Sequence, residues 1–277
     1  MLVGKPVHLI NALLLTALAA SAVASFWISP TPLLTGLALF HLLWFGLASS
    51  LYYHRVLAHE GARLHPLLEG FFLLGGLIGF SGDPVQWAAL HRYHHRTSDV
   101  PGDLHSPLDG VWHSLFGWYL RIQPANFEAL PDTSDLRDHW WLRWSQGSGP
   151  SALANGAYTA LLWWWGGWQM AVFTLWMPIF VSFFLAWALI ASLCHMPRFG
   201  DQPYPETRDR SRNVLWLAPF TFGEALHNTH HRYSGAAVLS RSWREWDLTG
   251  WLLILFEKVG LARQVRRVPR EMRTATR

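Results

Sequence analysis

Residues 6–53, PVHLINALLLTALAASAVASFWISPTPLLTGLALFHLLWFGLASSLYY, contain no Asp, Glu, Lys or Arg. At about 1.5 Å of rise per residue, a helical stretch of this length crosses a hydrocarbon layer of roughly 30 Å twice. The break falls at Ser29-Pro30-Thr31-Pro32, where proline ends one helix and opens the next. Residues 144–197 are also free of these four residue types, and Met177-Pro178 marks the expected turn. The pattern predicts an all-α integral membrane protein with four transmembrane helices in two hairpins, near 7–28, 31–53, 153–175 and 178–196. In a single domain of residues 1–277, segments 54–152 and 197–262 form a cytoplasmic helical cap, and 263–277 form a basic tail.

Composition agrees. Hydrophobic residues are 51% and charged ones 14% of the 277, against roughly 25% charged in soluble domains. The 18 Trp suit membrane interfaces. Because the hairpin turns carry no Lys or Arg, all basic residues share one side, which the positive-inside rule makes the cytoplasm, with both termini in it. The tail residues Arg263, Arg266, Arg267, Arg270, Arg273 and Arg277 fit anionic headgroups. The net charge of +4 needs no nucleic acid, and no recognition module for one is present. Lys5 and the stretch Ala19–Ala24 have the look of a secretory signal, but the apolar run is long and the next helix follows at once, so a retained helix is expected. A further apolar segment, Leu67 to Gly82, contains Glu69 and is too short to span. Were it to cross, the histidines on its two sides would be separated by the membrane, so it is expected to be interfacial or re-entrant.

Nine of the 15 histidines fall into four groups: His54 and His59; His91, His94 and His95; His195; His227, His230 and His231. Positions i, i+3 and i+4 share a helix face, so each HxxHH aims three imidazoles at one place. All four groups lie at or beyond the cytoplasmic ends of spans. A zinc site closes with four ligands, so nine imidazoles divide naturally into four or five for each of two metals. Imidazole alone selects no single metal among iron, zinc, copper and nickel. Asp99, Asp103, Glu224 and Asp247 are candidates to orient ligands. His8, His41, His65, His113 and His139 read as interfacial residues, His105 is left unassigned, and Cys194, the single cysteine, reads as a small apolar residue.

From Tyr53 to Leu261 the chain resembles the membrane-bound fatty acyl desaturases, which include stearoyl-CoA desaturases and cyanobacterial and plant acyl-lipid desaturases. The resemblance rests on HRVLAH (54–59), ALHRYHHRTSD (89–99), DLHSP (103–107), HMPRFG (195–200), FGEALHNTHHRY (222–233) and WREWDLTGW (243–251). It implies that the nine histidines hold two iron ions on the cytoplasmic side. The implied reaction removes two hydrogens from adjacent methylenes of a long acyl chain, with O2 as co-substrate and two electrons, leaving a cis double bond. No separate acid or base and no organic cofactor is implied. The acyl carrier, whether CoA, a carrier protein or a lipid, is left open.

The chain carries no fused cytochrome b5, so the resemblance implies an external electron donor, a ferredoxin or similar carrier, and a bacterial inner membrane is the expected location. Trp87, Trp112, Trp216 and Trp243 are candidate walls of an acyl tunnel. Two departures stand out. Ala191 occupies a position where many family members carry Asn, and Ser114-Leu115-Phe116-Gly117-Trp118 replaces a frequent SH-x-GW. A hydroxylase of the same architecture therefore stays open as an alternative. So does a histidine-rich metal transporter, although its ligands should lie inside the spans.

Overall fold

The computed structural model describes Leu2 and residues 4–122, 130–136 and 139–269. Arg270, Arg273 and Arg277 of the basic tail lie outside the described residues. The fold is mostly helical. Three helices are long and apolar enough to cross a membrane: Leu9–Trp27, Pro32–Ala58 and Ser148–Leu193. The second opens with Pro32 at its first position, and the Thr31 hydroxyl accepts from the Leu34 N–H.

The third is not straight. Gly166 (φ −141°, ψ 20°) and Gly167 (φ 73°, ψ −172°) leave helical geometry, and Trp176 Nε1 donates to Thr159 Oγ1 at 3.0 Å. A straight helix would hold residues 17 apart in sequence at about 25 Å, so the chain doubles back at the glycine pair. This corrects the expected turn at Met177-Pro178, through which the chain stays helical. Proline lacks an N–H and cannot serve the carbonyl of residue 174. A wide π turn over Val172–Trp176 accommodates it, and His41 Nδ1 lies 2.6 Å from the Thr174 carbonyl. His41 is accordingly buried between helices, not interfacial as its isolation in the sequence suggested.

The apolar segment forms a helix, Pro66–Ile78, shorter than a span. Its last carbonyls are closed from outside: Ser151 Oγ donates to Leu77 O at 2.6 Å and Asn155 Nδ2 to Ile78 O at 2.7 Å. Gly75 and Gly76 let the rings of Trp44 and Tyr53 pack directly on its backbone, since a Cβ there would lie 2.6 Å and 2.3 Å from them. The buried core runs along the C-terminal half of the second long helix, through Leu51, Tyr52, Tyr53 and Leu57, and joins the apolar helices to Trp87, Leu142 and Leu253. A two-residue antiparallel ribbon, Arg63–Leu64 with Ala262–Arg263, is the one ladder among the described residues and adds a small β element to the all-α expectation. The helix Leu248–Lys258 precedes it.

Candidate metal centre

The second long helix widens into a π-helix over Ala48–Ala58, a geometry that recurs at functional sites. There the His59 N–H bonds to the His54 carbonyl at 3.2 Å, five residues back, and the two rings meet edge to face with centroids 5.0 Å apart. Local backbone thus explains the HxxxxH spacing. His91, His94 and His95 ride on the helix Pro84–Thr97, whose N-terminus is capped by Asp83 accepting from Val85 and Gln86. His227, His230 and His231 ride on the short helix His227–Arg232, and His195 follows the end of the helix Leu189–Leu193.

All nine side chains converge in two sets. His54, His59, His91, His95 and His230 form one; His94, His195, His227 and His231 form the other; within each set the candidate ligand atoms lie within 4.8 Å of one another. The expectation that each HxxHH serves one place is corrected. Each box sends its i, i+4 pair to one set and its remaining histidine to the other: His91 and His95 meet His230, while His227 and His231 meet His94. Two crossed helices each straddle both sets.

In the five-histidine set the Nε2 atoms of His59 and His91 are 2.9 Å apart, of His91 and His95 3.0 Å, of His95 and His230 2.8 Å, and of His230 and His54 3.0 Å. In the other, His195 and His231 place Nε2 at 3.0 Å and 3.1 Å from that of His227. With metal–nitrogen bonds of about 2.1 Å, ligands at right angles sit about 3.0 Å apart and tetrahedral ones about 3.4 Å. These Nε2 separations are close to those of ligands that share one metal ion.

Carboxylates fix the tautomers. His54 Nδ1 lies 2.6 Å from Glu224, His94 Nδ1 2.8 Å from Asp103, His195 Nδ1 2.7 Å from Asp99 and His231 Nδ1 2.7 Å from Asp209. An Nδ1–H given to a carboxylate leaves Nε2 as a lone pair. In the four-histidine set three such lone pairs converge, and His94 Nε2 is buried without any hydrogen-bond partner. A cation is what this arrangement accommodates. Burial, reinforced by neighbouring imidazoles, holds His91, His95, His227, His230 and His231 well below the ordinary histidine pKa, so they are neutral at pH 7, the form in which an imidazole can hold a metal. Burial pushes Glu224 upward, but the Arg55 guanidinium and His54 outweigh it and hold the carboxyl at about 2.

Of the expected orienting residues, Asp99, Asp103 and Glu224 touch ligands and Asp247 does not. Its carboxylate binds Arg55 Nη1 at 2.7 Å instead. Asp209 was not foreseen: it reaches His231 from a loop 22 residues away, and nothing in its spacing marks it. His105 lies with its ring centroid 4.2 Å from that of His94. It lines a cavity together with Trp87, Trp187, Ala191 and histidines of both sets. A second cavity shares Ser49 and Trp187 with the first and is walled by Phe45, Phe80, Tyr119 and Phe183. Trp112, Trp216 and Trp243 are exposed and line neither cavity. His113 is buried on the Leu104 carbonyl, and His65 caps the helix Pro66–Ile78.

The family model for fatty acid desaturases matches residues 30–243. Among curated proteins, the Delta-9 desaturase-like 3 protein of Arabidopsis thaliana is 33% identical over 219 residues, covering 77% of this chain and 70% of its own. Delta-9 acyl-lipid desaturase 1 of the same plant is 32% identical over 226 residues, 80% of this chain and 71% of its own. Delta-9 acyl-lipid desaturase 2 is 32% identical over 231 residues, 82% and 72%. With two imidazole sets beside a common cavity, and with this similarity over most of its length, the chain belongs to the fatty acid desaturase family.

Proposed function

We propose that this fatty acyl desaturase introduces a cis double bond at the Δ9 position, the one its relatives are named for, using two iron ions held by His54, His59, His91, His95 and His230 and by His94, His195, His227 and His231. The carrying observation is the convergence of nine imidazoles into two sets on one cavity. The balanced reaction takes adjacent methylenes, O2, two electrons and two protons to an alkene and two waters. When bound, the irons supply the oxidising power needed for unactivated C–H bonds, which no side chain can deprotonate.

The protein's own work is positioning. Carboxylates hold the Nδ1 protons, so each oriented imidazole keeps Nε2 toward its metal. Trp87 and Trp187 wall the cavity beside both sets and keep water from the reacting carbons. The second cavity receives the rest of an apolar chain, and the depth available beyond Trp187 registers one carbon pair against the metals. In this reading the third long helix crosses twice, giving four spans with Gly166-Gly167 and exposed Trp163, Trp164 and Trp165 at the turn. The basic residues, both termini and the metals lie on the cytoplasmic side of a bacterial inner membrane, where a separate carrier such as a ferredoxin delivers electrons.

Expression in a bacterial host with an electron donor, followed by mass spectrometry of fatty acid methyl esters, tests the reading against His94→Ala. A new monounsaturated acid absent from the variant supports it; iron-loaded, membrane-inserted protein yielding none overturns it. One observation favours a second reading: Ala191 lines the cavity beside His94 and His227, leaving space at the four-histidine set. A hydroxylase using that space would yield a product heavier by one oxygen atom.

A further inference from the structure

The segment WREWDLTGW, residues 243–251, supplies no imidazole and lines neither cavity at the histidines. At its centre Asp247 is fully buried. Its Oδ2 accepts from the N–H groups of Leu239 at 2.7 Å and Ser240 at 3.2 Å, and its Oδ1 from Gly250 at 2.9 Å and from Arg55 Nη1 at 2.7 Å. Two glycines make room for it. A Cβ on Gly250 would sit 2.3 Å from the carboxylate and one on Gly223 2.5 Å from it. Gly223 also takes φ +99°, which side chains rarely adopt. The segment is thus built around one carboxylate and the guanidinium it grips.

Arg55 is buried too, and turns its other edge to the metal centre: Nε donates to Glu224 Oε1 at 3.0 Å. Glu224 Oε2 holds His54 Nδ1 at 2.6 Å, and His54 Nε2 faces that of His230 at 3.0 Å. A chain of charge-assisted contacts therefore runs from Asp247 through Arg55 and Glu224 to one ligand of the five-histidine set. The four-histidine set has its own carboxylates, Asp99, Asp103 and Asp209, and none of them touches Arg55.

We propose that Asp247 is a positioning residue for the metal of the five-histidine set, acting through Arg55 and Glu224 on the orientation and donor strength of His54. The inference rests on the metal reading above. Physically, Asp247 shares the Arg55 charge with Glu224. Without it, Arg55 draws more strongly on Glu224, which becomes a poorer acceptor for the His54 proton. His54 then donates less to its metal, whose reduction potential rises.

The test uses full-length protein in detergent, loaded with isotopically enriched iron and examined by Mössbauer spectroscopy and metal titration. Asp247→Asn is compared with Glu245→Gln, which removes a second buried charge of the same segment, one that pairs with Arg241 and not with Arg55. Expected is a change in one of the two iron signatures and about a tenfold loss of affinity for one of the two irons in Asp247→Asn, with both unchanged in Glu245→Gln. Arg55→Lys, which cannot hold both carboxylates in one fork, reproduces the selective change and serves if Asp247→Asn does not fold. Unchanged signatures in the Asp247 and Arg55 variants, or equal changes in Glu245→Gln, overturn the proposal. Wild-type protein binding fewer than two irons overturns the metal reading instead.

Discussion

His41 donates its Nδ1 proton to the Thr174 carbonyl at 2.6 Å, and Thr174 is the residue whose helical donor Pro178 has removed. Nε2 of the same ring lies 2.8 Å from the Tyr158 hydroxyl. One imidazole thereby ties the second long helix to both arms of the folded-back third.

A double-mutant cycle follows from this. His41→Phe keeps the volume but orphans a buried carbonyl, at a cost of about 1–3 kcal/mol, read as a lower midpoint of thermal unfolding in detergent. Pro178→Ala restores a helical N–H to Thr174. In that background the His41→Phe penalty shrinks; equal penalties in both backgrounds would rule out the pairing.

Asp209 orients His231 from a distant loop. Asp209→Ala should lower metal affinity and product yield by about 10–100-fold, with helix content unchanged by circular dichroism. Metal counts per chain and methyl-ester analysis check it.

Acid should destabilise the metal-free protein. Burial holds His59, His91, His95, His105, His227, His230 and His231 below their ordinary value of 6.5, so as pH falls past 6.5 the unfolded chain takes up protons that the folded one refuses. Stability is lost in that direction. Glu224, at about 2 against an ordinary 4.5, extends the loss through the lower range. His94, which Asp103 raises against the effect of burial, and Glu69, which burial raises, run the other way. Unfolding midpoints from pH 8 to pH 5 should fall steadily; a flat profile would contradict the burial described.

Ala191 is buried and lines the cavity between the sets. Ala191→Leu should fill space that the acyl chain needs while leaving all nine imidazoles in place. Product yield then falls by about 100-fold, as for a misplaced substrate, and two metals per chain remain.

The histidine boxes were legible because residue type and helical spacing together announce ligands, and charge-free stretches announce apolar helices. The turn in the second stretch was misplaced because proline is a conspicuous breaker in sequence, whereas a wide π turn and His41 absorb Pro178 and the less visible Gly166-Gly167 reverses the chain. Asp209 and the partnership of Asp247 with Arg55 depend on loops brought together only by tertiary packing. The allotment of each box to two sets was equally hidden, since spacing fixes a face but not what stands opposite it.

His94 and His95 are adjacent in sequence, with ring centroids 5.7 Å apart, yet belong to different sets, as do His230 and His231, also 5.7 Å apart. The gap between the two sets is therefore gauged by neighbouring residues of two helices, not by movable domains. A substitution that turns either helix displaces candidate ligands of both sets at once.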